Sequence, residues 1–194
     1  MNAALKYPDY FTYGDYSQWS EDERWELIDG QAYAMSAPSR RHQEIVLELG
    51  RQIANYLKGK SCKPYIAPFD VRLPKNNEQD DKIDTVVQPD ISVICDKNKL
   101  DDKGCRGAPD WIIEILSPST ATRDMDIKRQ LYQQYGVKEY WIISSTEKWG
   151  MKYILNEHQI YDQPTIFSLS ETTPVSLFPD LLIEWDFLSN EYPN

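Results

Sequence analysis

The chain has 194 residues, 41% of them hydrophobic and 12% aromatic, and a formal net charge of −10. That length and apolar content predict one packed core and a single domain over 1–194, and exclude a disordered chain. The acidic balance argues against a broad basic nucleic-acid-binding face, although a divalent ion can neutralise an acidic site locally.

No apolar run reaches the roughly 18 residues that a membrane span needs. The N-terminal MNAALKYPDYFTYGDY lacks an apolar signal core, so the expectation is a cytoplasmic protein. Cys62, Cys95 and Cys105 form no CxxC pair, which reads as three ordinary thiols, not a disulfide scaffold or zinc-thiolate site.

In chain order, Thr12 is placed to cap a short helix in TYGDYSQWSED, with Tyr13, Tyr16 and Trp19 spaced three apart. RWELIDGQAY then reads as two short strands about an Asp29-Gly30 turn. Within it Glu26 lies between Trp25 and Leu27, a solvent-facing position by simple alternation, or else a contributor to an acidic site. Ser36-Ala37-Pro38-Ser39 opens an amphipathic helix, RRHQEIVLELGRQIANYLKGK, which Gly59 stops. His42 and Glu44 sit at its start and are secondary candidates.

YIAPFDVRL predicts a strand with Val71 and Leu73 on one face and Asp70 and Arg72 on the other, interrupted or placed at an edge by Pro68. The polar stretch Lys75 to Asp84 reads as a mobile loop, Val86 to Cys95 as a core strand, and Asp96 to Gly107 as a second polar loop. Ala108 to Leu116 contains WIIEIL, apolar enough for a strand buried on both faces. After a turn at Pro118, Ser119 and Thr120, TRDMDIKRQLYQQYG is helical and Gly136 ends it. Val137 to Ser144 follows as a strand parallel to WIIEIL, reached by this crossover helix. MKYILNEHQIY predicts a hairpin turning at Asn156 and Glu157, and the C-terminal segment a closing strand or turn with a short helix.

Two acids interrupt these apolar strands. Glu114 shares a face with Ile112 and Leu116, and Asp90 opens ISVIC. A carboxylate facing a core is costly unless paired, protonated or bound to a cation. Antiparallel neighbours of this length can set the two side by side, a hard-oxygen pair suited to Mg²⁺ or Mn²⁺, with the Ile115 carbonyl as a further donor. Lys128 can orient water and stabilise charge developing on a phosphoryl group, or form only an i,i+4 surface pair with Asp124. Ser117 and Ser119 either cap the turn or contact a phosphate. Asp70 is a third acid if its strand lies alongside. No glycine-rich phosphate loop and no GxSxG elbow is present, which disfavours nucleotide-driven transfer and a serine hydrolase.

The stretches WELIDGQAYAMSAPSRRHQEI, PFDVRL, QPDISVI, IIEILSPST and DMDIKRQLYQQYGVKEYWII together resemble a restriction-endonuclease-like family abundant in cyanobacteria, within the PD-(D/E)xK nuclease superfamily. The resemblance runs from Tyr10 to Leu188. It implies an α/β (α+β) fold, a restriction-endonuclease-like core with a central mixed β-sheet flanked by helices. It also implies Asp90 and Glu114 as metal-binding motif acids, Mg²⁺ as cofactor, DNA as substrate and a homodimer. The usual lysine would stand two residues after the glutamate, where this chain has Leu116. The resemblance therefore selects Lys128 on the following helix. Glu44 looks like the accessory acid, with Glu26 or Asp70 as substitutes. The competing expectation is a catalytically inactive nucleic-acid-binding or structural dimeric protein of the same fold.

Overall fold

The computed structural model describes residues 10–20, 22–118 and 120–189. A short helix, α1 (Tyr13–Tyr16), precedes a hairpin of β1 (Trp25–Ile28) and β2 (Gln31–Ala34). Asp29 and Gly30 close that hairpin with positive φ angles of 49° and 78°, the left-handed pair that a two-residue turn requires. The long helix α2 (Arg40–Leu57) follows, capped by the Ser39 hydroxyl, which accepts from the His42 N–H at 3.2 Å.

YIAPFDVRL is not one strand. It divides into β3 (Lys63–Ile66) and β4 (Val71–Arg72), separated at a cis Ala67-Pro68 bond, and the two halves join different sheets. Next come β5 (Val86–Val87) and β6 (Ile91–Ile94). The predicted polar loop after β6 holds a small hairpin, β7 (Leu100–Asp101) and β8 (Gly104–Arg106), with β8 parallel to β4. The other polar loop is tied down: Lys75 Nζ lies 2.9 Å from Asp29 and 2.6 Å from Asp84.

WIIEI forms β9 (Trp111–Ile115), buried throughout. The helix after it begins with a π-wound segment, Arg123–Lys128, and continues as α3 (Arg129–Tyr135), ended by Gly136 at φ 81°. β10 (Glu139–Ser144) is parallel to β9, as expected of a strand reached by a crossover helix. β11 (Trp149–Ile154) pairs with β10 and with a strand the sequence reading missed, β12 (Thr165–Ser168). The Asn156 turn is present but closes only on an isolated Leu155–Tyr161 bridge. Two short strands, β13 (Thr173–Pro174) and β14 (Leu182–Ile183), and a 3-10 turn at Asp186–Leu188 finish the described chain.

Two six-stranded mixed sheets result, in the orders β2-β1-β5-β4-β8-β7 and β12-β11-β10-β9-β6-β3. The second is the expected central mixed sheet, with a helix against each face. On one face Ile45, Leu49 and Ile53 of α2 pack with Ile91, Trp111, Ile113 and Ile143. On the other, Leu131 and Tyr132 of α3 meet Ile112, Tyr140 and Ile142, together with Val71 and Val87 of the first sheet. Each fully buried aliphatic side chain contributes about 1.5–3 kcal/mol, so these two interfaces fix where the ends of β6 and β9 lie. Among the described residues no helix is long and apolar enough to cross a membrane.

The thiol expectation is corrected here. Cys62 and Cys95 form a disulfide, and only Cys105 is a free, buried thiol. β3 and β6 are antiparallel with Lys63 opposite Ile94, so the residues just outside that pair, Cys62 and Cys95, face each other. Sequence separation hides such a partnership.

Candidate active site

Asp90 and Glu114 meet because of strand register. β6 and β9 are antiparallel with Ile91 opposite Ile113, which brings Asp90, the next residue outward, across from Glu114. Alternation in β9 sends Ile113 and Ile115 to the α2 face and Ile112 to the α3 face, with Glu114 on the α3 side. Both acids open on a cavity of about 340 Å³ that His42, Ser117 and Lys128 also line.

Asp90 is held from two sides. Its Oδ2 accepts from the Ile115 N–H at 2.8 Å and lies 3.1 Å from His42 Nε2. His42 reaches it from the first turn of α2. Burial lowers the basicity of that imidazole, but the Asp90 hydrogen bond and charge outweigh burial and raise its pKa above the usual value.

Glu114 faces the helix. Its Oε1 accepts from Lys128 Nζ and from the Tyr132 hydroxyl, each at 2.8 Å. Lys128 Nζ is also 2.8 Å from Glu26 Oε1 and 3.6 Å from Asp124 Oδ1. The i,i+4 pair with Asp124 is therefore not the surface bridge that spacing alone allowed: both side chains are 3% exposed.

The π winding explains the reach. Residues five apart on an α-helix point about 140° from one another, whereas a π-helix closes its turns over five residues. Arg123 and Lys128, five apart, both address Glu26, at 3.4 and 2.8 Å. Met125, within the same segment, is 38% exposed.

The solvent-facing reading of Glu26 is overturned. It is 1% exposed, accepts from the Gln88 N–H at 2.9 Å, and forms the second wall around the lysine. Alternation assigned its face correctly, but that face is covered by the helix carrying Arg123 and Lys128. Glu44 goes the other way: it lies exposed on α2, paired with Arg40 at 2.5 Å, outside the cavity. Asp70 sits behind the site, accepting from Tyr16 Oη at 3.0 Å and Gln88 Nε2 at 2.9 Å. Ser117 lines the cavity with its hydroxyl 3.0 Å from Thr120 Oγ1. Ser119 lies outside the described residues.

The electrostatics are unbalanced. Burial, then Asp124, Asp90 and Glu26, push Glu114 well above the usual carboxylate pKa against the pull of Lys128. Burial raises Asp124 as well, and its Oδ1 has no hydrogen-bond partner. Glu26 is different: burial acts upward, but Lys128, the Gln88 N–H and Arg123 hold it below the ordinary value. Burial would discharge Lys128, yet Glu114, Glu26 and Asp124 raise its pKa well above normal. It remains an ammonium.

Among the described residues no three His, Cys, Asp or Glu side chains are grouped to enclose an ion by themselves. Mg²⁺ does not demand such a cage; it keeps waters and takes one or two carboxylates together with substrate phosphates. Two facing carboxylates, with Asp124 and Glu26 close by, fit that requirement.

Residues 13–186 match the profile of the Uma2 family, described as putative restriction endonuclease. An uncharacterised protein of Synechocystis sp. (strain ATCC 27184 / PCC 6803 / Kazusa), slr1290, is 33% identical over 135 residues, covering 68% of this chain and 67% of that protein. A crystal structure from Anabaena variabilis ATCC 29413, titled as a putative nuclease belonging to DUF820, superposes with a TM-score of 0.73 at 21% identity. That match covers 92% of this chain and 97% of the other, and shows a shared fold.

Proposed function

Since the chain belongs to the Uma2 putative restriction endonuclease family, we propose that it is a Mg²⁺-dependent endonuclease hydrolysing phosphodiester bonds in DNA. The observation that carries this reading is the meeting of Asp90 and Glu114 across β6 and β9, with Lys128 Nζ 2.8 Å from Glu114.

In this reading Asp90, Glu114 and the Ile115 carbonyl hold Mg²⁺, and Mn²⁺ can replace it. A divalent ion supplies Lewis-acid polarisation of a phosphoryl oxygen and makes water more acidic. Asp90 is oriented for its role by His42 and the Ile115 N–H, which fix one oxygen and leave the other for the cation. Burial and the neighbouring acids disfavour charge on Glu114, and a cation held there would offset that. The Lys128 ammonium orients the attacking water and stabilises negative charge growing on the phosphoryl group. Ser117 contacts a substrate phosphate. The protein acts as a single domain and a homodimer, in which two such sites address two strands.

The test is cleavage of supercoiled and linear DNA with Mg²⁺, with and without chelator. Asp90→Asn, Glu114→Gln and Lys128→Met should each lower the rate about 10²–10³-fold while circular dichroism stays native. Undiminished cleavage by all three purified variants defeats the assignment. DNA binding without turnover in the wild type selects the inactive binding protein instead.

A further inference from the structure

Lys128 is reached from both sheets. Glu114 approaches its ammonium from β9, and Glu26 from β1, each at 2.8 Å. In nearly complete burial an ammonium has few partners to choose from, and two acids on separate sheets fix its position better than one. Glu26 has little left for a cation. Its Oε1 takes Lys128 and the Gln88 N–H, and its Oε2 faces Arg123 Nη1 at 3.4 Å.

Glu26 is itself braced. Gln88 binds it through the backbone N–H, while the Gln88 side chain accepts from Arg24 at 2.9 Å and donates to Asp70 at 2.9 Å. Asp70 thereby joins the support behind Glu26. Two residues on from Gln88 is Asp90, so a single short segment places both the lysine's anchor and one of the facing acids.

We propose that Glu26 is a positioning residue for Lys128, not a cation ligand, a role that rests on the reading of Asp90, Glu114 and Lys128 as a nuclease site. A buried ion pair adds little to stability compared with apolar packing of the same volume. What Glu26 supplies is placement. Without it Lys128 would have Glu114 as its one close carboxylate, the acid that must also meet the cation.

A double-mutant cycle tests this, using Glu26→Gln, Lys128→Met and the two combined, with Mn²⁺ affinity measured by calorimetry beside DNA cleavage. Glu26→Gln alone should lower kcat at least about tenfold with KM unchanged, the effect expected of a displaced catalytic group. In the Lys128→Met background the same substitution should change kcat and Mn²⁺ affinity by less than about twofold, because non-additivity marks residues acting through each other. A further drop in Mn²⁺ affinity of about tenfold or more in that background makes Glu26 a ligand and overturns the proposal. So does a kcat loss that multiplies. If Glu26→Gln fails to fold, Glu26→Asp, which keeps the charge but shortens the reach, carries the same comparison. A wild type that binds Mn²⁺ but cleaves nothing defeats the nuclease reading, while the affinity comparison still separates anchor from ligand. A wild type that binds no Mn²⁺ defeats both.

Discussion

The buried charge around Arg72 and that around Lys128 differ in balance. Around Arg72, fully buried, Asp101 lies 2.6 Å away and Asp80 is in direct contact, while Arg106 holds the other oxygen of Asp80 at 2.9 Å. Two guanidinium groups meet two carboxylates that are themselves partly exposed. Around Lys128, Glu26, Glu114 and Asp124 converge with Asp90 beyond them, and Arg123 also reaches Glu26. The first cluster is neutral and ties β4, β7 and β8 together. The second crowds acids about one lysine at a cavity that Arg24 and Arg41 also line, and leaves Asp124 Oδ1 without a hydrogen bond. Matched charge ties strands together; crowded like charge raises the pKa of the acids that share the site.

The largest expected effect that separates the clusters comes from Arg72→Met. It takes the buried guanidinium away from two partly exposed carboxylates and should cost about 1–3 kcal/mol in urea unfolding. An unchanged midpoint would mean that the network is not structural. Asp124→Asn should do the opposite. Removing one acid from the crowded site should stabilise the protein by about 1 kcal/mol, as relief of strain at functional sites commonly does. A loss of stability there would erase the distinction between the clusters.

The same contrast predicts opposite pH slopes. Asp124 has a raised native pKa, so the unfolded chain loses that proton first and stability falls as pH climbs above about 4. Melting curves should show this decline in the wild type and a weaker one in Asp124→Asn. Burial pushes Asp101 upward, but Arg72, the Lys103 N–H and the Lys103 charge hold its native pKa below normal. Its contribution is complete above the ordinary carboxylate range and disappears as pH drops through the native value, a loss that Asp101→Asn should remove.

The smallest effect is a thiol count. Burial pushes the Cys105 thiol up to about 12, and Cys62 and Cys95 are joined. The folded protein should show no thiol reactive to an aromatic disulfide reagent near neutral pH. Denaturation should expose one, and reduction two more. A reactive thiol in the native state would indicate that the Arg72 region opens, since Cys105 lies on β8 within it.

What could be read from the sequence follows interaction range. Asp90, Glu114 and the crossover to β10 were legible because an acid inside an apolar strand is conspicuous and the periodicities are local. Lys128 was legible as one of two readings, an ammonium facing a phosphoryl group or a surface pair with Asp124, and the resemblance selected the first because Leu116 occupies the expected lysine position. Of the two readings of Glu26 the solvent-facing one fails: alternation gives a residue's face but not what covers that face. Cys62 and Cys95 were missed because only the register of β3 against β6 joins them. β7 and β8, of two and three residues, were too short to show a pattern inside a polar stretch. Glu44 illustrates the reverse error, since position near a helix start did not bring it to the cavity.

The π-wound turn has a consequence for how this chain can change. Arg123 and Lys128 share a target only because the backbone between them is overfilled by ordinary helical standards. Relaxing that stretch to ordinary α winding with every residue kept would swing the two until they point about 140° apart. The vulnerable quantity at this site is thus the winding of the helix as much as the identity of its residues, and a tightened coil there would disarm the centre while leaving every named side chain in the sequence.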